Sequence, residues 1–350
     1  MREIVIDGVR ISDDSDCYVI AEIGHNHQGN LETAKELFRA AKDAGAHAAK
    51  LQKRSNRQLF TRQMYDKPYD NENSYGSTYG EHREFLEFGR EQYAELQRYA
   101  KEIGISFFAT AFDVPSAGFL ADLDVPAFKL ASGDLTNIPL LQHVARFGKP
   151  MIVSTGGGTM ADVRRAYEAI MPINRQLCIL QCTAGYPPAW EELNLSVIPA
   201  FREAFPDIVI GFSSHDSGIA MAVAGYVLGA RVIEKHFTLN RAMKGTDHAF
   251  SLEPTGLRKM VRDLRRTRIA MGDGVKVTYP SERAPLMKMA KKLVAAREVP
   301  AGHRLTLADV AIKSPSDGLP PYELDTVVGR VTRTALSEDE TISLDNLEAS

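Results

Sequence analysis

His215, in FSSHDSG, and His236, in IEKHFT, each stand near the end of a β-rich apolar run. Each alone reads as an ordinary hydrogen-bonded imidazole. Together, at the ends of neighbouring strands, they can hold a divalent metal and leave positions open for substrate and water. Lys50 (AAKLQ) and Lys129 (FKLAS) are flanked by apolar residues, where an ammonium group needs an anionic partner. With the hydroxyls of Ser132, Ser154 and Ser213 at matching positions, the natural guest is a phosphate or a carboxylate. A Schiff base is the competing use of either lysine. The run STGGG (154–158) precedes a helical pattern, so its backbone N–H groups can face an oxyanion or merely form a turn. Glu22 is a possible further ligand or a neighbour of bound water. Asp134 in SGDLTN and Asp247 in GTDH can bind sugar hydroxyls or move protons, or can cap a turn.

These residues need a frame that brings them together. Short β-rich runs alternate with helical patterns, at 17–23, 47–53, 105–112, 127–132, 151–155, 177–183, 208–214 and 231–238. Most are apolar on nearly every residue, as strands buried on both faces are. Amphipathic helices separate them. Asn30 is placed to cap one that runs through Leu31, Leu37 and Ala41 to Gly45, and Tyr93, Leu96, Ala100 and Ile103 stripe another that stops at Gly104. Eight strand–helix units in series predict a closed (β/α)₈ TIM barrel, with an open doubly wound sheet as the alternative. Each run ends on polar residues: Glu22; Lys50 and Gln52; Thr110; Lys129 and Ser132; Ser154 and Thr155; Thr183; Ser213 and His215; Glu234 and His236. In a barrel these converge on the C-terminal mouth. The Tyr-, Asn- and Gly-rich stretch 54–90 follows the second strand and would lie over that mouth, as a substrate cover or a plain excursion.

The 350 residues, 44% apolar and 25% charged with net charge −3, fit one large barrel plus an appendage and give no sign of nucleic-acid binding. Three cysteines without a CxxC pair make a disulfide framework or zinc site unexpected and a reducing cytoplasm the default. The first residues contain no signal-peptide pattern, and no apolar run approaches the ~20 residues of a membrane span. The expected division is a barrel domain over 1–272, a linker over 273–290 and a domain of short strands and Gly/Pro turns over 291–350. That last segment is small for an independent core.

The segments AEIGHNHQGN, AAKLQKR, YGEHREFLEF, KLASGDLTN, LQCTAGYPP, FSSHDSGIA, EKHFTL and KGTDHAFSLEP resemble the sialic acid synthase family, most closely its animal-type 9-phosphate synthases. The tail KKLVAAREVPAGHRLTLADVAIK is similar to that family's antifreeze-like (SAF, β-clip-like) domain. The resemblance implies condensation of phosphoenolpyruvate with N-acetylmannosamine or its 6-phosphate, releasing phosphate. It implies a Mn²⁺ or Mg²⁺ ion on His215 and His236. Phosphoenolpyruvate would be held by Lys50, Thr110, Lys129, Ser132, Ser154 and Ser213, with Glu22, Gln52, Asp134, Tyr186 and Asp247 on the metal and sugar side. It further implies a domain-swapped homodimer in which the small domain covers the partner's barrel.

The chain departs from the bacterial members of that family in places. Ser314 stands where their sugar-contacting arginine is expected, Asp134 where they have glutamate, and Ala184 where some have asparagine. Arg54, Arg57 and Lys67 are either ligands for a sugar phosphate or solvated surface charge. Three other readings stay open: a synthase of a related nonulosonate such as legionaminate, pseudaminate or deaminated neuraminate; a Schiff-base pyruvate aldolase; and a non-catalytic carbohydrate- or ice-binding protein.

Overall fold

A computed structural model of the chain describes residues 2–348, so Met1 and positions 349–350, the ends of the expected first and last domains, lie outside it. The chain divides into two compact units, Met1–Gly272 and Asp273–Ser350.

The first unit opens with an antiparallel hairpin, β1 (Glu3–Ile6) and β2 (Val9–Ser12), which the strand reading passed over. Its apolar side, Ile4, Ile6 and Ile11, joins the main core. The turn residue Asp7 accepts a hydrogen bond from Ser106 at the start of a barrel strand, which fixes the hairpin at the N-terminal end of the barrel. Eight strands follow: β3 (Tyr18–Gly24), β4 (Ala48–Lys53), β5 (Ser106–Ala111), β6 (Phe128–Leu130), β7 (Met151–Ser154), β8 (Leu177–Cys182), β9 (Val209–Ser214) and β10 (Val232–His236). They form a closed barrel in chain order, with β10 pairing β3 in parallel. The doubly wound alternative is thereby excluded.

Among the described residues eight helices flank the barrel strands: α1 (Leu31–Asp43), α2 (Arg90–Ile103), α3 (Val114–Asp122), α4 (Ile138–Ala145), α5 (Met160–Ile170), α6 (Val197–Ala204), α7 (Ala220–Val227) and α8 (Pro254–Met271); a further helix, Tyr79–Leu86, and two short ones, Asn56–Leu59 and Arg62–Tyr65, lie in the excursion between β4 and α2. Asn30 caps α1 by accepting from the Thr33 amide at 3.0 Å, satisfying one of the donors a helix start leaves free. Gly104 ends α2 in the left-handed conformation at φ 71°, which a side chain resists.

Gly211 in β9 matters for closure. A Cβ there would lie 2.4 Å from Leu180 Cδ2 and 2.6 Å from the Val232 carbonyl oxygen, on both neighbouring strands. Gly211→Ala is expected to cost about 1–3 kcal/mol by overpacking. A denaturant midpoint unchanged from the wild type would show that β8 and β10 can give way there.

The second unit carries its own small core of Leu293, Ala295, Val299, Leu305, Val327, Leu336, Ile342 and Leu347 around the antiparallel pair β11 (Lys292–Ala295) and β12 (Val310–Lys313). Asp309, wholly buried, accepts from Thr306, His303 and Arg297 and pins the turn between those strands. A short helix, Arg283–Met289, lies within the segment expected to be linker.

Candidate active site

Parallel register sets the site. His236 pairs with Glu22 and Glu22 with Lys50. Gln52 pairs with Thr110, and Thr110 with Lys129. Registered residues of neighbouring parallel strands share a face, and residues two apart on one strand share it too. Lys50 and Gln52, Glu234 and His236 therefore all point inward. They line a cavity of about 680 Å³.

The cavity floor is a buried charge cluster. Lys50 Nζ pairs with Glu22 Oε2 at 2.5 Å and donates to Thr110 Oγ1 at 2.7 Å. Lys129 Nζ donates to Ser154 Oγ at 2.7 Å and to the Leu130 carbonyl at 3.0 Å. Glu234 Oε1 stands 3.8 Å from each ammonium group and accepts from Ser213 Oγ at 3.4 Å. Burial pushes the Glu22 carboxyl up despite Lys50. Burial also raises Glu234, but Lys129 and Lys50 outweigh it and hold that carboxyl below its usual range. Burial pushes the Lys129 ammonium down, so its positive charge is costly without an anion close by.

His215 and His236 face each other with ring centroids 5.3 Å apart. His215 Nδ1 lies 3.0 Å from the Thr183 carbonyl, which can only accept. Nδ1 must carry the proton, leaving the Nε2 lone pair free. Burial brings His215 down to about 4, with His236 adding to the effect, and burial also lowers His236. Both rings are thus neutral at neutral pH, the form that binds metals. His236 Nδ1 is buried without a hydrogen-bond partner, 3.8 Å from Asp247 Oδ2. Phe250 and Tyr186 wall the pair, with the Tyr186 ring centroid 4.1 Å from that of His215 and tilted 32° to it. Among the described residues no group of three or more His, Cys, Asp or Glu side chains is arranged as a ready metal cage. An orphaned buried imidazole nitrogen and a second imidazole with a fixed lone pair nevertheless suit a cation that keeps most positions for substrate and water.

Of the residues expected from sequence, Glu22, Lys50, Gln52, Thr110, Lys129, Ser132, Ser154, Tyr186, Ser213, His215, His236 and Asp247 all reach this cavity. Asp134 does not line it. Asp134 sits in the short helical turn after β6 and accepts from the Asn137 amide at 3.0 Å, because that turn directs its neighbour Gly133 at the cavity instead. The STGGG amides do not serve as an oxyanion cradle. Gly156 N–H donates to Ser132 Oγ and Gly158 N–H to the Thr155 carbonyl, so only Ser154 of that run faces inward. His27 stacks on Phe88 and accepts from the Gly29 amide. Arg57 stacks on Tyr65, and neither it nor Lys67 reaches the cavity.

The 54–90 stretch supplies a wall through Asn73, Tyr75, His82 and Arg83. It is tied across the mouth: Tyr75 OH donates to the Lys244 carbonyl at 2.8 Å, and Gly245 N–H donates to Asn73 Oδ1 at 2.9 Å. Sequence reasoning noted Glu234 only as a strand end and missed Arg83, Lys244 and Cys182 as cavity residues. The E-x-H spacing of Glu234 and His236 was a usable signal, whereas Arg83 comes from a helix, Tyr79–Leu86, within the excursion after β4, and Lys244 from the loop after β10, and no local pattern reveals that both reach the mouth.

Comparisons with known proteins agree with one another. The NeuB family model matches residues 37–276, and a SAF domain model matches 292–348. The chain is 42% identical over 334 residues to N-acetylneuraminate-9-phosphate synthase of Mus musculus, covering 95% of this chain and 93% of that protein. It is 32% identical to N,N'-diacetyllegionaminic acid synthase of Legionella pneumophila, covering 95% of each. The crystal structure of N-acetylneuraminic acid synthetase from Leptospira borgpetersenii, in complex with citrate, superposes with a TM-score of 0.71 at 30% identity, over 81% of this chain and 95% of that one.

Proposed function

The chain belongs to the NeuB family, and from that membership we propose that it condenses phosphoenolpyruvate with N-acetylmannosamine or its 6-phosphate, giving N-acetylneuraminate or its 9-phosphate and inorganic phosphate. The observation that carries this reading is the single mouth at which two buried ammonium groups stand beside two neutral facing imidazoles.

In the proposed reaction C3 of phosphoenolpyruvate adds to the aldehyde carbon, water adds at C2, and phosphate leaves by C–O cleavage. Lys50 and Lys129, with Thr110, Ser132, Ser154 and Ser213, bind the carboxylate and phosphate groups and stabilise the charge that develops on the departing phosphate. The two ammonium groups arrive already balanced by Glu22 and Glu234, so an entering anion must displace a carboxylate or enter together with a proton from solvent that neutralises one. Glu22, raised by burial, is the one suited to take up that proton. His215 and His236 would hold a Mn²⁺ or Mg²⁺ ion, which when bound supplies Lewis acidity at the aldehyde oxygen. Gln52 donates to Glu22 at 2.7 Å and holds that carboxylate toward Lys50, while Asp247 and Tyr186 border the sugar side. Holding both substrates on one rigid mouth provides the proximity gain.

Legionaminate and pseudaminate synthases share the family, and a related nonulosonate product is the second reading, favoured by the Legionella similarity. Phosphate release from phosphoenolpyruvate against a panel of mannosamine derivatives, with mass spectrometry of the products, decides between them. No release with any derivative would refute both. EDTA is expected to abolish release and Mn²⁺ to restore it; full turnover in chelator would remove the metal from the reading.

The proposal extends to the assembly and setting: a homodimer in which the SAF domain, 291–350 after a 273–290 linker, covers the partner's barrel. The SAF match at 292–348 supports the domain assignment. A cytoplasmic location is supported by three cysteines that are free and buried.

A further inference from the structure

The floor of the cavity and its upper wall differ in how their cations are matched. Lys50 and Lys129 have carboxylate partners. Arg54, Arg83 and Lys244 line the same cavity, yet none of them forms an ion pair among the described residues. The nearby Glu87 is engaged by Lys53 at 3.1 Å, and Asp247 faces His236.

Arg83 Nε donates to Tyr79 OH at 3.0 Å, but the ring of His25 cannot accept from both guanidinium groups. Arg83 Nη1 lies 3.3 Å from His25 Nδ1, and Arg54 Nη1 lies 3.3 Å from His25 Nε2. Burial, with Arg54 and Arg83 adding to it, keeps this ring neutral. A neutral imidazole has one acceptor nitrogen and one N–H. Glu87 Oε1, buried and without another hydrogen-bond partner, stands 3.5 Å from Nε2. The proton therefore belongs on Nε2, facing that carboxylate, and Nδ1 accepts from Arg83. Arg54 Nη1 is then a donor set against a donor. Arg54 is only 8% exposed, stacked 3.7 Å over the Phe112 ring and bonded to Gln52 Oε1 at 2.8 Å, so it cannot turn to bulk water for a partner.

We propose that Arg54, Arg83 and Lys244 form a second anion subsite that takes the phosphomonoester of an amino-sugar 6-phosphate, an inference that rests on the synthase reading above. Charge matching selects the ligand class. Three cations less the one carboxylate of Asp247 leave about two positive charges at the wall, which suits a phosphomonoester at about −1.5 to −2 better than a single carboxylate. Gln52 links the two regions, donating to Glu22 on the floor and accepting from Arg54. One substrate anion thus sits at the lysines and the far end of the sugar at the guanidinium groups.

The test compares kcat/KM for N-acetylmannosamine 6-phosphate and for N-acetylmannosamine, at saturating phosphoenolpyruvate and Mn²⁺. Wild type is expected to prefer the phosphorylated sugar by at least about 10²-fold. Arg83→Ala should lower that preference by about 10²-fold and Lys244→Ala by about 10-fold, mainly through KM for the sugar. Lys244 is exposed, so its variant reports even if Arg83→Ala folds poorly. A wild-type ratio near one, or a ratio that neither variant changes, would overturn the subsite and leave the synthase reading standing. Phosphate release with neither sugar would overturn the reading itself and the subsite with it.

Discussion

His236→Ala is expected to lose phosphate release by about 10²–10³-fold while remaining folded. The ring ends β10, in register with Glu22 on the other side of the seam that closes the barrel. Its Nδ1 makes no hydrogen bond, so the fold gains nothing from that atom. Residues at the C-terminal ends of barrel strands serve the site more than the stability of the barrel. In the proposed metal site, loss of one of the two imidazoles would remove several kcal/mol of charge stabilisation, which is the origin of the stated factor. Equilibrium dialysis against Mn²⁺ gives a second readout and should show weakened binding in a variant whose circular dichroism matches wild type. Turnover like that of the wild type would remove His236 from the site.

Lys129→Met is expected to lower kcat/KM for phosphoenolpyruvate by about 10²–10³-fold, the loss seen when one preorganised donor to a developing anion is removed. Methionine keeps the length and apolar body of the side chain and deletes the ammonium that meets Ser154 Oγ at 2.7 Å and Glu234 at 3.8 Å. Two stability effects oppose each other. A buried charge that burial disfavours is gone, and Glu234 loses one of its two ammonium neighbours. The variant should therefore fold, which a thermal melt checks. Unchanged kcat/KM would take Lys129 out of the anion site. Borohydride with pyruvate should add no mass to the wild-type chain, because the proposed reaction uses the lysines only as charged groups; a reduced adduct on either lysine would point to imine chemistry.

The barrel was legible because its signals are local. Eight doubly buried strands read as apolar runs, and caps such as Asn30 and Gly104 mark helix ends within a few residues. The ring of polar strand ends was legible for the same reason, since a parallel barrel sends every such end to one mouth. The hairpin at the N-terminus was missed: its strands are four residues each, and their stability comes from Ile4, Ile6 and Ile11 packing on a core made elsewhere. Where Asp134 would sit was not legible, because one turn of tight helix, invisible in residue type, turns Ser132 and Gly133 to the cavity and sets Asp134 against Asn137.

By itself the order of residues determined the alternation of elements, the set of strand-end groups and the chemistry those groups could perform, because each depends on neighbours in the chain. Tertiary structure alone decided the pairings. Strand register placed Glu234 between two lysines, and the docking of the Tyr79–Leu86 helix and of the loop after β10 brought Arg83 and Lys244 to the wall that Arg54 also lines. Electrostatic partnership falls off within a few ångströms in space and takes no account of separation along the chain, so Glu22 and Lys50, 2.5 Å apart, became a pair only when the barrel closed.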